Sequence, residues 1–122
     1  NFKPEHVFEG DIRDFDLSEI GVTDIVAGGP PCQPFSLGGK HKANNDSRDM
    51  FPYAIHTIEK LKPKAFIFEN VKGLLRQTFS EYFSYIILRL SYPDFPIKEN
   101  IEWKKSLEEL RKIDTQKYKG IR

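Results

Sequence analysis

The sequence predicts an α/β fold built on a parallel βαβ unit, followed by a helical C-terminal part. Three observations carry this. Two short apolar runs without alternation, Thr23–Ala27 and Lys64–Glu69, read as strands covered on both faces, the pattern of a parallel sheet. Between them Ala54, Ile55, Ile58 and Leu61 recur at helical spacing from Phe51 to Lys62, and Pro63 stops that helix. Beyond residue 74 the apolar residues recur only at helical spacing. A strand–helix–strand connection of this kind expects a right-handed crossover. Both strands then end at one carboxyl edge, with Cys32 just beyond the first tip and Glu69 at the second.

Taken in order, His6–Asp11 reads as a brief strand through Val7 and Phe8, turning at Gly10 and leaving Asp11 at its exit. Phe15–Ile20 is too short for more than one helical turn. After the second predicted strand come Gly28-Gly29-Pro30-Pro31-Cys32-Gln33-Pro34, whose prolines make a stiff loop. Leu37 to Arg48 is polar, glycine-containing and basic, which predicts a loop. Ser80 suits the N-cap of a second helix with a stripe of Phe83, Ile86, Ile87 and Leu90, and Tyr92–Pro96 breaks the chain. Asn100 suits the cap of a third helix with Trp103, Leu107 and Leu110 on one side. Gln116–Arg122 is a basic tail without apolar periodicity.

At 122 residues the chain makes one compact domain or part of one, burying roughly two-thirds of its unfolded surface. Hydrophobic residues at 39% and charged residues at 30% argue against disorder. A net charge of +1 means that nucleic-acid contact would need a local basic patch. One cysteine cannot form an internal disulfide, so a reducing cytoplasm is the default setting. No apolar run approaches the ~18–20 residues of a membrane span. No metal site is read from the sequence. The chain opens on Asn1 instead of methionine, which reads as a processed chain or a piece of a longer protein.

A lone cysteine is ordinarily a small buried hydrophobe. The flanks of Cys32 do not make a packed core element, and a rigid loop fixes a sulfur at low entropic cost, as a nucleophile needs. His41 lies in the polar loop, so a protease-like Cys/His pair is not favoured. Glu69 at a strand tip has a bland alternative as a solvated carboxylate. Sharing an edge with Cys32, it instead suits addition to an electron-poor ring, where an acid neutralises the developing charge. The basic residues Lys40, His41, Lys42 and Arg48 read either as solvated surface or as phosphate contacts beside that nucleophile.

Pro31-Cys32-Gln33-Pro34-Phe35-Ser36, Asp46-Ser47-Arg48 and Glu69-Asn70-Val71 resemble, in order, the motifs of DNA (cytosine-5) methyltransferases. Gly10-Asp11-Ile12 is similar to the motif that precedes them. The resemblance spans residues 10–71 and implies a partial Rossmann-like methyltransferase fold with S-adenosylmethionine as cofactor. It implies that Cys32 adds to C6 of a cytosine flipped from double-stranded DNA. Glu69 would hold the N3/N4 edge and protonate N3, and Asn70 would fix the crevice geometry. Gln33, Ser36, Lys40 and Arg48 would meet DNA. Asp11, Ile12, Pro31 and Phe51 would border the cofactor, Phe51 standing where the family usually has leucine. Related enzymes act on tRNA, which keeps a tRNA cytosine-5 methyltransferase as an alternative, beside a silent fragment that binds nucleic acid or a partner.

The family's glycine-rich cofactor loop, the acidic residue for the cofactor ribose, the Gln-x-Arg-x-Arg motif and the target-recognition domain have no counterpart here. Residues 1–73 are therefore expected to be the central part of the catalytic domain, and 74–122 a helical insertion or extension of it. The expectation is an internal fragment, inactive alone, from the cytoplasm of a bacterium with a restriction–modification setting. Uncovered sheet edges and apolar faces would open a route to self-association.

Overall fold

The computed structural model describes residues 3–31, 49–70, 72–75, 77–96 and 102–118. Its architecture is α/β: a two-stranded parallel sheet and three α-helices, with short 3-10 turns between them. Strand β1 (Ile25–Gly28) pairs with β2 (Ala65–Phe68) in the register Ile25 to Ala65 and Gly28 to Phe68. The ladder continues one step at each end, with Ala65 N–H donating to Asp24 O and Glu69 N–H to Gly28 O. Helix α1 (Phe51–Leu61) forms the crossover between the strands, as its periodicity predicts.

Helix α1 starts with Pro52 in its first turn, where a missing N–H costs nothing. It ends as Lys62 turns into the left-handed region at φ 44°, its N–H still bonded to Ile58 O at 2.9 Å. Pro63 disfavours continued helix at the residue before it, so Lys62 takes a conformation that glycine usually supplies.

The core lies among the helices. Helix α2 (Ser80–Ser91) packs most extensively on α3 (Trp103–Tyr118) and also against α1. Phe51, Tyr82 and Ile86 form a buried cluster with Phe83, Tyr85, Leu90 and Trp103 packed round it. The indole of Trp103 meets the Tyr82 ring edge-on, with centroids 5.3 Å apart. Leu107 and Leu110 of α3 are buried, as their spacing predicts. Tyr92 ties the end of α2 to α3 by donating to Asp114 Oδ1 at 2.6 Å.

Several expectations are corrected. Residues 7–9 are not a strand: Pro4–His6 is a 3-10 turn, and the ring of Phe8 folds over Gly10 onto Phe15. Two apolar residues cannot hold a strand without a neighbour to pair with. The paired strands are not covered on both faces, since Ile25 is 60% and Ile67 66% exposed. The described helices bury their apolar stripes on one another, which leaves the sheet open. Ser80 is the first residue of α2 and not its cap; its hydroxyl donates to Gln77 O in the preceding 3-10 turn, Gln77–Phe79. Ile87 lies off the buried face, which runs through Tyr82, Ile86 and Arg89. The basic tail is helical as far as Tyr118. Asn100 lies outside the described residues.

Candidate functional site

Parallel pairing brings the two strand tips side by side. Gly28-Gly29-Pro30-Pro31 leaves β1 and Glu69-Asn70 leaves β2 at the same carboxyl edge, where open α/β sheets place their ligands. Asn70 Nδ2 donates to Pro30 O at 2.8 Å, which locks one tip to the other. The backbone of Pro30 offers only a carbonyl, so a side-chain amide is a suitable partner for it. Glu69 is exposed, and a Cβ placed on Gly29 would meet its Oε2 at 3.6 Å. The carboxylate thus lies against the glycine that precedes the two prolines.

Pro31 O in turn accepts the N–H of Met50 at 2.9 Å, so the backbone leading to Cys32 is tied to the start of α1. Asp49, only 6% exposed, accepts from the N–H of Phe51 at 3.2 Å and from the Tyr82 hydroxyl. Neither Asp49 nor Tyr82 stands out as a site residue in the sequence. An aspartate two residues before a helix that begins Phe-Pro is a recognisable start signal. Its bond to Tyr82, 33 positions along, has no local signature.

The candidate residues distribute as follows. Glu69 and Asn70 lie at the strand tips against Gly29 and Pro30, and Pro31 follows Pro30 and bonds to Met50. Cys32, Gln33, Ser36, Lys40 and Arg48 lie outside the described residues. Phe51 adjoins the site in sequence, but its side chain is 4% exposed inside the helical cluster. Asp11 caps the 3-10 turn Ile12–Asp14 and holds Arg13 in a two-pronged ion pair, Nε to Oδ1 at 2.9 Å. Hydrogen bonds from the Arg13 guanidinium and backbone draw its carboxyl down to about 2. Ile12 faces a cleft of about 500 Å³ between the N-terminal turns and α1, lined also by Ile20, Tyr53, His56 and Lys60. Among the described residues no group of three or more histidines and acids could hold a metal ion, and no helix is long and apolar enough to cross a membrane.

The family model described as C-5 cytosine-specific DNA methylase matches residues 1–106. Type II methyltransferase M.NgoMIV of Neisseria gonorrhoeae is 44% identical over 81 residues, covering 66% of this chain and 26% of its own length. Type II methyltransferase M.NaeI of Lentzea aerocolonigenes is 37% identical over 95 residues, covering 75% of this chain and 23% of its own. Orphan methyltransferase M.SPRI of Bacillus phage SPR is 40% identical over 67 residues, 54% of this chain and 15% of its own. The chain thus spans about a quarter or less of the length of these curated relatives. A match over residues 1–106 takes in the strand tips, the Pro-Cys sequence motif and most of the helical part, and so the chain belongs to the C-5 cytosine-specific DNA methylase family.

Proposed function

We propose that this chain is the catalytic-centre portion of a longer DNA (cytosine-5) methyltransferase with a partial Rossmann-like fold, acting in a bacterial restriction–modification setting. The observation that carries the reading is the lock between the strand tips, Asn70 Nδ2 to Pro30 O at 2.8 Å. It ties the Glu-Asn tip to Pro30, two positions before Cys32 in the sequence, which supports a reading with an acid and a nucleophile at one edge.

On this reading the thiolate of Cys32 adds to C6 of a flipped cytosine, forming a C–S bond and pushing electron density to C5. Glu69 donates a proton to N3 as negative charge builds on the ring. Loss of the C5 proton after methylation expels the thiolate, and return of the N3 proton to Glu69 restores the neutral aromatic ring. Asn70 keeps the crevice in register, while Gln33, Ser36, Lys40 and Arg48 contact DNA.

S-adenosylmethionine supplies the methyl group when bound. The described cofactor candidates do not by themselves make a cradle for it. The Asp11 carboxylate is engaged by Arg13, and Phe51 is enclosed in the helical cluster. Pro31 and the half-exposed Ile12 would border the cofactor only with further parts of the longer protein. The chain alone is therefore expected to be inactive.

The test is covalent trapping with the full-length protein, cofactor and a duplex bearing 5-fluorocytosine, from which the C5 substituent cannot leave as a proton. A protein–DNA adduct that disappears in Cys32→Ala is expected. No adduct with wild type, or an adduct surviving Cys32→Ala, overturns the assignment. An adduct with tRNA in place of duplex DNA moves the substrate to RNA.

A further inference from the structure

Asp49 is buried, and both carboxylate oxygens are engaged, Oδ1 by the N–H of Phe51 and Oδ2 by the hydroxyl of Tyr82. Tyr82 comes from α2 and is itself 4% exposed, packed with Phe51, Ile86 and Trp103, so its hydroxyl has little freedom to leave Asp49. The next residue after Asp49, Met50, donates to Pro31 O, and Pro31 directly precedes Cys32. The described ends of the segment that carries the cysteine, Pro31 and Asp49–Met50, are therefore joined to each other and anchored to the helical core. A charge-assisted bond in a site closed to water is shorter and stiffer than its exposed equivalent.

We infer that Asp49 and Tyr82 are positioning residues for Cys32: through Met50 they set the backbone that presents the thiol to C6. This rests on the reading of Cys32 as nucleophile. It gives the helical part of the chain a role in the chemistry, because the holding hydroxyl belongs to α2. Addition to a ring carbon is steeply sensitive to the placement of the sulfur, so a loosened anchor costs rate before it costs binding.

The experiment measures single-turnover adduct formation on the 5-fluorocytosine duplex, together with dissociation constants for duplex and S-adenosylmethionine, using full-length protein. Tyr82→Phe keeps the ring and removes only the hydroxyl; Asp49→Asn keeps an acceptor for Phe51 N–H and removes the charge. Each is expected to slow adduct formation about tenfold, equal to about 1.4 kcal/mol, with both dissociation constants unchanged. The double variant is expected to be no slower than the slower single one, as members of one unit are non-additive. If wild type reacts and both variants react as fast, the positioning role is wrong while the nucleophile reading stands. A lowered Tm with an unchanged rate likewise overturns the positioning role. If wild type forms no adduct, the nucleophile reading falls and this inference with it. Should Tyr82→Phe fail to fold, Asp49→Asn at matched folded fraction decides.

Discussion

Arg89 offers a sharp test of the packing that supports the site. Its side chain has no exposed surface, yet it carries a full charge into the seam between α1 and α2. One terminal nitrogen donates to Phe95 O at 2.8 Å and the other to the carboxylate of Glu59 on α1. The guanidinium lies 5.8 Å from the centre of the Phe95 ring, and its Nε has no hydrogen-bond partner among the described residues. Glu59 is less enclosed, with its side chain 22% exposed. Replacing it by glutamine leaves a buried cation without its counter-charge. A fully buried pair broken this way costs about 3–5 kcal/mol, and water's access at Glu59 lowers the expectation to about 2–3 kcal/mol. Arg89→Met removes the charge together with its desolvation cost. It leaves Phe95 O without a donor and Glu59 free to reach water, so about 1–2 kcal/mol is expected. The double variant Glu59→Gln with Arg89→Met should then be more stable than Glu59→Gln alone. Urea unfolding followed by Trp103, the sole tryptophan and packed on Tyr82, reads all four stabilities. A Glu59→Gln cost below about 0.5 kcal/mol, the range of ordinary surface substitutions, would refute a buried cation that depends on Glu59.

Three further outcomes are expected. Asn70→Ala removes the donor to Pro30 O; one net hydrogen bond of about 1 kcal/mol predicts roughly fivefold slower trapping of 5-fluorocytosine, and an unchanged rate would exclude the strand-tip lock from the mechanism. Lys62→Gly relieves the left-handed backbone at φ 44° and loses only an exposed pairing with Asp94, so net stabilisation of about 0.5 kcal/mol is expected from urea midpoints despite the glycine's unfolded-state entropy. The Asp11 carboxyl should titrate near 2 by carbon-detected NMR, because Arg13 stabilises its charged form. Its folded value lies below the ordinary 3.8, so the turn's electrostatic support is complete above about pH 4 and is lost as pH falls through 2. Arg13→Gln should return the midpoint toward the ordinary value, and a wild-type midpoint already there would contradict the ion pair.

The sequence by itself determined the order strand–helix–strand, the stop at Pro63 and the placing of Glu69 and Asn70 at the same sheet edge as the Gly-Pro-Pro exit of the first strand. These features rest on periodicity, proline chemistry and a motif, all of which are local. The motif also carried the family. What only the tertiary structure decided depends on partners far apart in the chain. The Asn70 bond spans 40 positions and the Tyr82 bond 33, and neither residue type announces its partner. Composition alone would put Arg89 on the surface, because arginine is almost never fully buried unless paired. Its partner, Glu59, lies on another helix. The apolar strands showed what they can be buried by, whereas their exposure was set by where the described helices found larger apolar faces, which was on each other. An amphipathic stripe states that it needs a neighbour. Which neighbour it finds is decided by three-dimensional packing.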